Sequence, residues 1–327
     1  MSEKTNIAVT GTGSLIGQAI IKSVQRSTLK DKINVIGLDY FENTVASFWC
    51  SANYVLPDIL KPDVTEKEWL DVIVSTIKKH HCKLLFAGVD FELPLLAKNK
   101  SFIEEQTGAI IMVCPENVIT IADDKYLTSQ FLKKNNLAHP ESYLPGELNE
   151  LSLDFPLIVK PRKGARSVGV SKVKNVQELT TAITSVKDPV IQECVGNEET
   201  EYTCGVIFLN GEFKKLIVLR RILKAGNTYL SYYKNDFPQI ITSYLKEVAT
   251  KLQPFGACNF QLRLDADGQP KIFEINARHS GTTYIRALFG FKEVEYIVNY
   301  LLFNQEMDFH LEEGTVVRYY DEFFVKA

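Results

Sequence analysis

Short β-branched runs that alternate with helical periods through the N-terminal third constrain the fold of this chain more than any other feature. NIAVT, INVIGLD, KLLFAG and AIIMVC read as strands, and IGQAIIKSV and EWLDVIVSTIKK between them read as helices. Strands separated by helices return to one sheet by crossovers, so a parallel, Rossmann-like α/β sheet is expected over residues 1–114. Cys114-Pro115 closes that pattern. The helical stretch ITIADDKYLTSQFLKKN follows. From Pro156 the chain is mostly strands: PLIVK, VGVSKV, PVIQECV, TEYTCGVIFL, EFKKLIVLRRI, ACNFQLRL and KIFEINA. Helices are expected near 175–185, 240–252 and 291–303, which makes this half α+β and antiparallel.

Charge and cysteine usage remove several function classes. Lys and Arg number 37 against 40 Asp and Glu, a net charge of −3, so no basic face for releasing nucleic-acid counterions is expected. The six cysteines form no C-x-x-C pair and mostly sit among apolar or small neighbours, which argues against a disulfide framework. The start, MSEKTNIAVTG, has no apolar signal-peptide stretch, and no uncharged run reaches the roughly 18 residues of a membrane span. A cytoplasmic protein without membrane insertion is expected.

Three places suit phosphate or a cation. The first is Gly11-Thr-Gly13-Ser-Leu-Ile-Gly17 between a strand and a helix, with Asp39 ending the next strand where a ribose would lie. Its spacing is one residue longer than the dinucleotide fingerprint, and a tight strand-to-helix connection would need the same glycines. The second, Lys160-Pro-Arg162-Lys163-Gly164-Ala-Arg166-Ser167-Val-Gly169, concentrates four cations and glycines between two strands. A basic glycine hairpin of this kind folds as a flap over a triphosphate, although a solvated basic turn has the same composition.

The third is the pair Asn259-Phe-Gln261-Leu-Arg263-Leu and Phe273-Glu274-Ile-Asn276-Ala-Arg278, each alternating polar with apolar or small residues. Asp267-Gly268 between them reads as a two-residue hairpin turn. That turn would set Gln261 opposite Glu274 and Asn259 opposite Asn276. Clustered Glu, Gln and Asn oxygens suit a hard cation such as Mg²⁺, which takes its remaining ligands from water and phosphate.

In combination these residues resemble the ATP-grasp superfamily, particularly the ATP-binding unit of the carbamoyl-phosphate synthase large subunit and its single-unit relatives. The resemblance runs from the glycine turn through Asp123-Asp124-Lys125 and PLIVKPR to QECVGNEETEYT and FEINAR. It implies a pre-ATP-grasp domain over 1–114, a first ATP-grasp subdomain with the flap over 115–188, and a second with the metal site over 189–327. It also implies that Lys125, Lys160, Arg162 and Ser167 contact ATP and its phosphates. By the same likeness Glu193 and Val195 form the adenine hinge, and Glu201 accepts the ribose hydroxyls. Gln261, Glu274 and Asn276 would hold Mg²⁺ or Mn²⁺, and Arg278 would hold the transferring phosphoryl group. Arg220 or Arg221 would face the site, a choice that strand alternation leaves open. His279 is expected to be packed or at the surface, and Tyr229, Tyr232 and Tyr233 to line the cleft or its rim. The flap departs from the usual pattern in having Arg166 in place of a glycine. With one unit and no second copy, a complete carbamoyl-phosphate synthase reaction is not expected.

The chemistry implied is activation of a small carboxylate by ATP as an acyl phosphate, followed by attack of an amine, in a homodimer. Kinase-like phosphorylation is a variant of that chemistry. The rival readings are a nucleotide-binding sensor or scaffold without turnover, and an NAD(P)-dependent oxidoreductase using the Gly11–Gly17 turn and Asp39.

Overall fold

The computed structural model describes residues 4–44, 48–150, 154–164 and 167–324, with the side chains of residues 149 and 150 outside that description. Arg166 of the flap lies outside the described residues. Three sheets organise the chain.

The first is parallel, as the alternating pattern requires. Strands β1 (Thr5–Thr10), β2 (Ile33–Asp39), β3 (Ala52–Val55), β4 (Leu84–Phe86) and β5 (Ile110–Met112) take the order β3-β2-β1-β4-β5. Helices α1 (Leu15–Gln25), α2 (Glu66–His80), α3 (Leu93–Lys98) and α4 (Lys100–Thr107) make the crossovers. The strand β3 was not legible in the sequence: four residues with alternating burial carry too short a pattern. The order reverses between β1 and β4, which opens a crevice at their carboxyl ends.

Helices α5 (Glu116–Asp123) and α6 (Lys125–Lys134) lead to a four-stranded antiparallel sheet. It contains β6 (Ser142–Tyr143), β7 (Leu157–Pro161), β8 (Ser171–Val173) and β9 (Pro189–Glu193) in the order β6-β9-β7-β8, with α7 (Val176–Ser185) packed on it. Leu157, Val159, Val173, Leu179, Ala182 and Ile191 form a small core of its own. The expected division at 188/189 falls inside this sheet, because β9 pairs with β7 from Leu157↔Glu193 to Pro161↔Pro189.

The third sheet has six strands: β10 (Glu201–Leu209), β11 (Glu212–Lys224), β12 (Asn227–Tyr233), β13 (Gly256–Leu264), β14 (Pro270–Asn276) and β15 (Gly314–Val317). Their order is β14-β13-β10-β11-β12-β15. Helices α8 (Gln239–Leu252), α9 (Thr283–Leu288) and α10 (Glu293–Phe303) complete this part.

The change of pattern at Pro115 does not break the core. One apolar cluster joins Ile7, Val9 and Phe86 of the parallel sheet to Ile207, Leu219 and Ile297, and a second joins Leu85 and Ile111 to Phe260 and Val248. At roughly 1.5–3 kcal/mol per fully buried aliphatic or aromatic side chain, these clusters hold the parallel and six-stranded sheets as one body. The four-stranded sheet, with its separate core, overhangs that body, and the cleft lies between them.

Candidate active site

The hairpin β13–β14 builds the floor of the cleft. Phe260 and Leu262 are fully buried on one face, which leaves Asn259, Gln261 and Arg263 on the other. Gln261 lies opposite Glu274 and Asn259 opposite Asn276, the expected pairs reached by a different route. The turn is different from the expected one. Asp265 N donates to Gln269 O at 3.0 Å and Gly268 N to Asp265 O at 3.1 Å, so residues 265–269 make the connection. Gly268 takes φ 76°, the conformation that favours glycine. Pairing near this turn is displaced by one residue, Leu262↔Ile272, and the shift is recovered between Gln261 and Leu262. Phe273 is therefore a bulge residue. A bulge re-aims side chains, and here the adjacent Phe273 and Glu274 both border the cleft. No glycine marks the bulge, so Phe273 was not foreseen as a site residue.

The roof comes from β7, β9 and the flap. Lys160 is 5% exposed and donates to Gln192 Oε1 at 2.7 Å and to Phe273 O at 3.4 Å. Burial, reinforced by the nearby Lys125 charge, pulls its pKa down to about 7. Gln192 is itself anchored by donating to Ser142 Oγ at 2.9 Å. Lys125 starts α6 behind its N-cap Asp124 and donates to Gly164 O at 2.9 Å, which ties the helix to the flap. Gly164, Ser167, Val168 and Val170 border the cleft. Arg162, expected at the nucleotide, turns instead to Asp124, with Nη2 to Oδ2 at 2.5 Å and Nε at 3.1 Å. Burial opposes ionisation of Asp124, but the bonds and charge of Arg162 outweigh it and lower the carboxyl pKa. Arg162 thus fixes the helix start and is absent from the cleft wall.

Glu193 and Val195 stand at the rear of the cleft. Lys271 Nζ donates to both Glu193 oxygens at 2.8 and 3.0 Å, and Arg263 Nη1 to Val195 O at 3.4 Å. Glu201 is 7% exposed between two arginines, Arg221 and Arg263. Arg221 is the member of the adjacent pair that borders the cleft, whereas Arg220 lies over the Tyr232 ring at 5.4 Å. Tyr229, Tyr232 and Tyr233 do not border it.

A row of polar side chains crosses the floor. Gln261 Nε2 donates to Glu274 Oε1 at 3.3 Å and Asn276 Nδ2 to the same oxygen at 3.0 Å. Arg278 Nη2 donates to Asn276 Oδ1 at 2.8 Å, and Arg278 Nε to Asp90 Oδ1 at 2.7 Å. Glu274 forms no ion pair among the described residues, despite the arginines and lysines around it. A cleft-facing carboxylate bonded only to amides, with an Asn oxygen two residues along the same face, is a hard-oxygen set that fits Mg²⁺. Gln261, the third expected ligand, turns its oxygen to Arg221 Nη2 at 2.6 Å, as Asn276 turns its own to Arg278 Nη2, so among the described residues Glu274 is the expected ligand of the three without an arginine partner. Among the described residues no group of three His, Cys, Asp or Glu side chains offers an alternative metal site.

The glycine turn has other work. Asp39 Oδ2 accepts from Gly13 N at 2.6 Å and Thr12 Oγ1 at 2.9 Å, and Oδ1 accepts from Tyr40 N and Phe41 N. Ser14 caps α1 by accepting from Ile16 N and Gly17 N. A Cβ on Gly17 would stand 2.3 Å from Gly11 O, so close backbone packing accounts for that glycine. His279 is 4% exposed, edge-on to Phe86 at 5.4 Å, and burial lowers its pKa to about 4, so it is a packed histidine.

Twenty of the described residues border the cleft, which is partly open to solvent. Lys125, Lys160, Ser167, Glu193, Val195, Glu201, Gln261 and Glu274 are brought together there, and Asn276 and Arg278 continue the floor toward Asp90. The ATP-grasp domain family matches residues 122–282. D-alanine–D-alanine ligase A of Bacillus cereus is 25% identical over 239 residues, 64% of this chain and 78% of that protein. The structure of an L-amino acid ligase from Bacillus licheniformis superposes with a TM-score of 0.70 at 19% identity, over 92% of this chain and 75% of that one. An N5-carboxyaminoimidazole synthetase from Staphylococcus aureus complexed with ADP gives 0.72 at 14% identity, over 95% and 81%. Among the described residues no helix is long and apolar enough to cross a membrane.

Proposed function

We propose, from the premise that this chain belongs to the ATP-grasp family through residues 122–282, that it is an ATP-dependent carboxylate–amine ligase. The observation that carries the reading is one cleft bordered by Lys125 and Lys160 above and by Arg221 and an un-ion-paired Glu274 below. A substrate carboxylate oxygen attacks the γ-phosphorus of ATP, and the bond to the β,γ-bridging oxygen breaks with its electrons to ADP. The amine nitrogen then attacks the carbonyl carbon of the acyl phosphate, inorganic phosphate leaves, and the nitrogen gives up a proton.

Such transfers ask the protein for positioning and charge rather than a covalent nucleophile. Lys125 and Lys160 hold the phosphates, and Glu193 with the backbone of Val195 receives the adenine. Arg278 holds the transferring phosphoryl group beside the incoming carboxylate. Glu274 and Asn276 would hold Mg²⁺, which would supply positive charge against the phosphates. Mn²⁺, another oxygen-binding cation, suits the same donors.

Amino acids are the substrate class we favour, because two of the similar proteins are named as a D-alanine–D-alanine ligase and an L-amino acid ligase. The likeness to the carbamoyl-phosphate synthase unit is then one of shared ATP-binding architecture. We extend the reading to a homodimer in the cytoplasm on the family resemblance, a state that size-exclusion chromatography with light scattering reads directly. The function is tested by ADP release with Mg·ATP against pools of amino acids and other small carboxylates, with and without ammonia. Carboxylate-stimulated release establishes the ligase, and ATP binding with no stimulation by any pool favours the sensor reading.

A further inference from the structure

Arg318 follows the edge strand β15, and the pairing Leu230↔Val317 sets it opposite Tyr229, whose carbonyl accepts from Arg318 N at 2.8 Å. Val316, two residues earlier on the same face, packs against the apolar cluster that holds Ile285 of α9. Arg318 reaches the loop between β14 and α9, where its Nη2 donates to Gly281 O. The same loop touches α1: a Cβ on Gly281 would stand 3.4 Å from Leu15 Cβ and 4.0 Å from Arg318 Nη2. Leu15 opens α1 just beyond β1, so Arg318 stands near the carboxyl end of β1, on one side of the crevice where the sheet order reverses. Arg278, three residues before Gly281, stands on the other side, bonded to Asp90 beyond β4.

Arg278 has Asp90 as its counter-ion, whereas Arg318 has none among the described residues. Its Nε and Nη1 have no partner among those residues either, and Gly281 O is a neutral acceptor. Burial is the one influence on the Arg318 pKa and lowers it, so no carboxylate offsets the desolvation of this guanidinium. The pKa of Lys22, two turns along α1 from Leu15, is lowered by burial and by the like charges of Arg26 and Arg318, with Asp321 as the smallest, opposing influence. In a chain of net charge −3, a half-buried arginine left uncompensated beside a crevice is prepared for an anion that a ligand brings.

We propose that Arg318 is the specificity residue for an acceptor amine that carries its own carboxylate, an amino acid, and that its free N–H groups receive that carboxylate. The inference rests on the ligase reading above and deepens it. The activated carboxylate is consumed in forming the amide, but the carboxylate of an amino-acid acceptor stays ionised throughout and needs a fixed cation. Arg278 serves the phosphoryl group on the β4 side of the crevice and Arg318 the acceptor on the β1 side. Ammonia and neutral amines forgo the second contact.

The test is steady-state ADP release by the full chain with Mg·ATP and the donor amino acid that stimulates it most, each amino acid serving as acceptor against its own α-amide. Mass spectrometry reads the coupled product. Wild type is expected to favour an amino acid over its amide by on the order of 10- to 100-fold in kcat/KM, the range of a charge-assisted contact. Arg318→Met is expected to raise KM for that amino acid by the same factor and to leave KM for the amide and for Mg·ATP within about twofold, which erases the preference. Arg318→Lys keeps the charge and is expected to restore part of it. The wild-type preference needs no variant. Equal use of ammonia or amides by the wild type overturns the proposal, and so does an unchanged preference in Arg318→Met. Loss of amino acid and amide alike in that variant also overturns it, because the bond to Gly281 would then only hold the loop. No ADP release with any pool overturns the ligase reading itself, and this proposal with it.

Discussion

Arg278 Nε donates to Asp90 Oδ1 at 2.7 Å, and this ion pair joins the segment that follows the floor strand β14 to the short 3-10 helix Asp90–Glu92 after β4. Asp90 sits two residues before the buried Glu92, which accepts hydrogen bonds from Thr10 and Tyr40, so its loop is anchored at the mouth of β1. The Asp90 carboxylate is 51% exposed while Arg278 is 11% exposed. The pair thus sets where a guanidinium stands more than it adds to stability, because half-exposed pairs contribute about 0–1 kcal/mol.

Asp90→Ala is accordingly expected to leave the thermal midpoint within about 2 °C of wild type while lowering kcat for ADP release by about 3- to 10-fold. The affinity for Mg·ATP is expected to stay the same, since Asp90 is not among the residues that border the nucleotide cleft. Equal kcat in variant and wild type would separate the parallel sheet from the chemistry.

Glu274→Ala removes the carboxylate at the centre of the floor, where two amides converge on one oxygen. Carboxylate-stimulated ADP release is expected to fall on the order of 100-fold or more with the fold retained, because the substitution leaves space and no unpaired charge. Near-wild-type turnover in this variant would remove Glu274 from the metal site.

The hairpin explains how much of this was legible beforehand. Alternation along NFQLRL and FEINAR depends only on the period of a strand, so the functional face follows from sequence, whereas the pairing Gln261↔Glu274 was expected from a two-residue turn that the structure does not have. The route to that pairing did not follow: a five-residue turn and a bulge at Phe273 offset one another, and neither leaves a composition signal. Arg162 and Arg221 show the same limit from the other side. Both are cations near the site in sequence, but a carboxylate partner claims each, and partners such as Asp124 and Glu201 are set by packing across elements. Gln192, Lys271 and Asp90 were missed for the same reason, since each acts on a residue from another strand or sheet.

Lys160 gives the site a pH signature. Its pKa is drawn from 10.5 to about 7 by burial and by Lys125, so at pH 8 the empty cleft holds it mostly neutral. Phosphate favours the ammonium form, and binding at that pH must take up a proton. Titrations of Mg·ATP at pH 8 in buffers of differing ionisation enthalpy are expected to show uptake approaching about one proton, with clearly less at pH 6. Lys160→Arg stays charged at both values and is expected to abolish the difference. On stability the sign is also fixed. The folded state binds fewer protons than the unfolded chain between about pH 7 and 10.5, so this residue's penalty is full below pH 7 and is relieved as pH rises through that window.

On the same face of the six-stranded sheet as Gln261 lies a buried charged pair whose removal tests the scaffold rather than the chemistry. Arg286 and Glu293 are 0% and 1% exposed, with Nη2 to Oε1 at 2.8 Å and Nε to Oε2 at 3.0 Å. Arg286 Nη1 also donates to Asn259 Oδ1 at 2.9 Å and so holds β13 on the face that carries Gln261. Gly205 makes room for this side chain, since a Cβ there would stand 2.6 Å from Arg286 Nε. Arg286→Met strands the buried Glu293 carboxylate and is expected to cost about 3–5 kcal/mol in urea unfolding. The double variant Arg286→Met with Glu293→Leu removes both charges and is expected to regain a large part of that loss, because an apolar pair of similar volume needs no solvation. Equal destabilisation in the single and double variants would mean that shape at this position, and not the uncompensated charge, decides the stability of the floor.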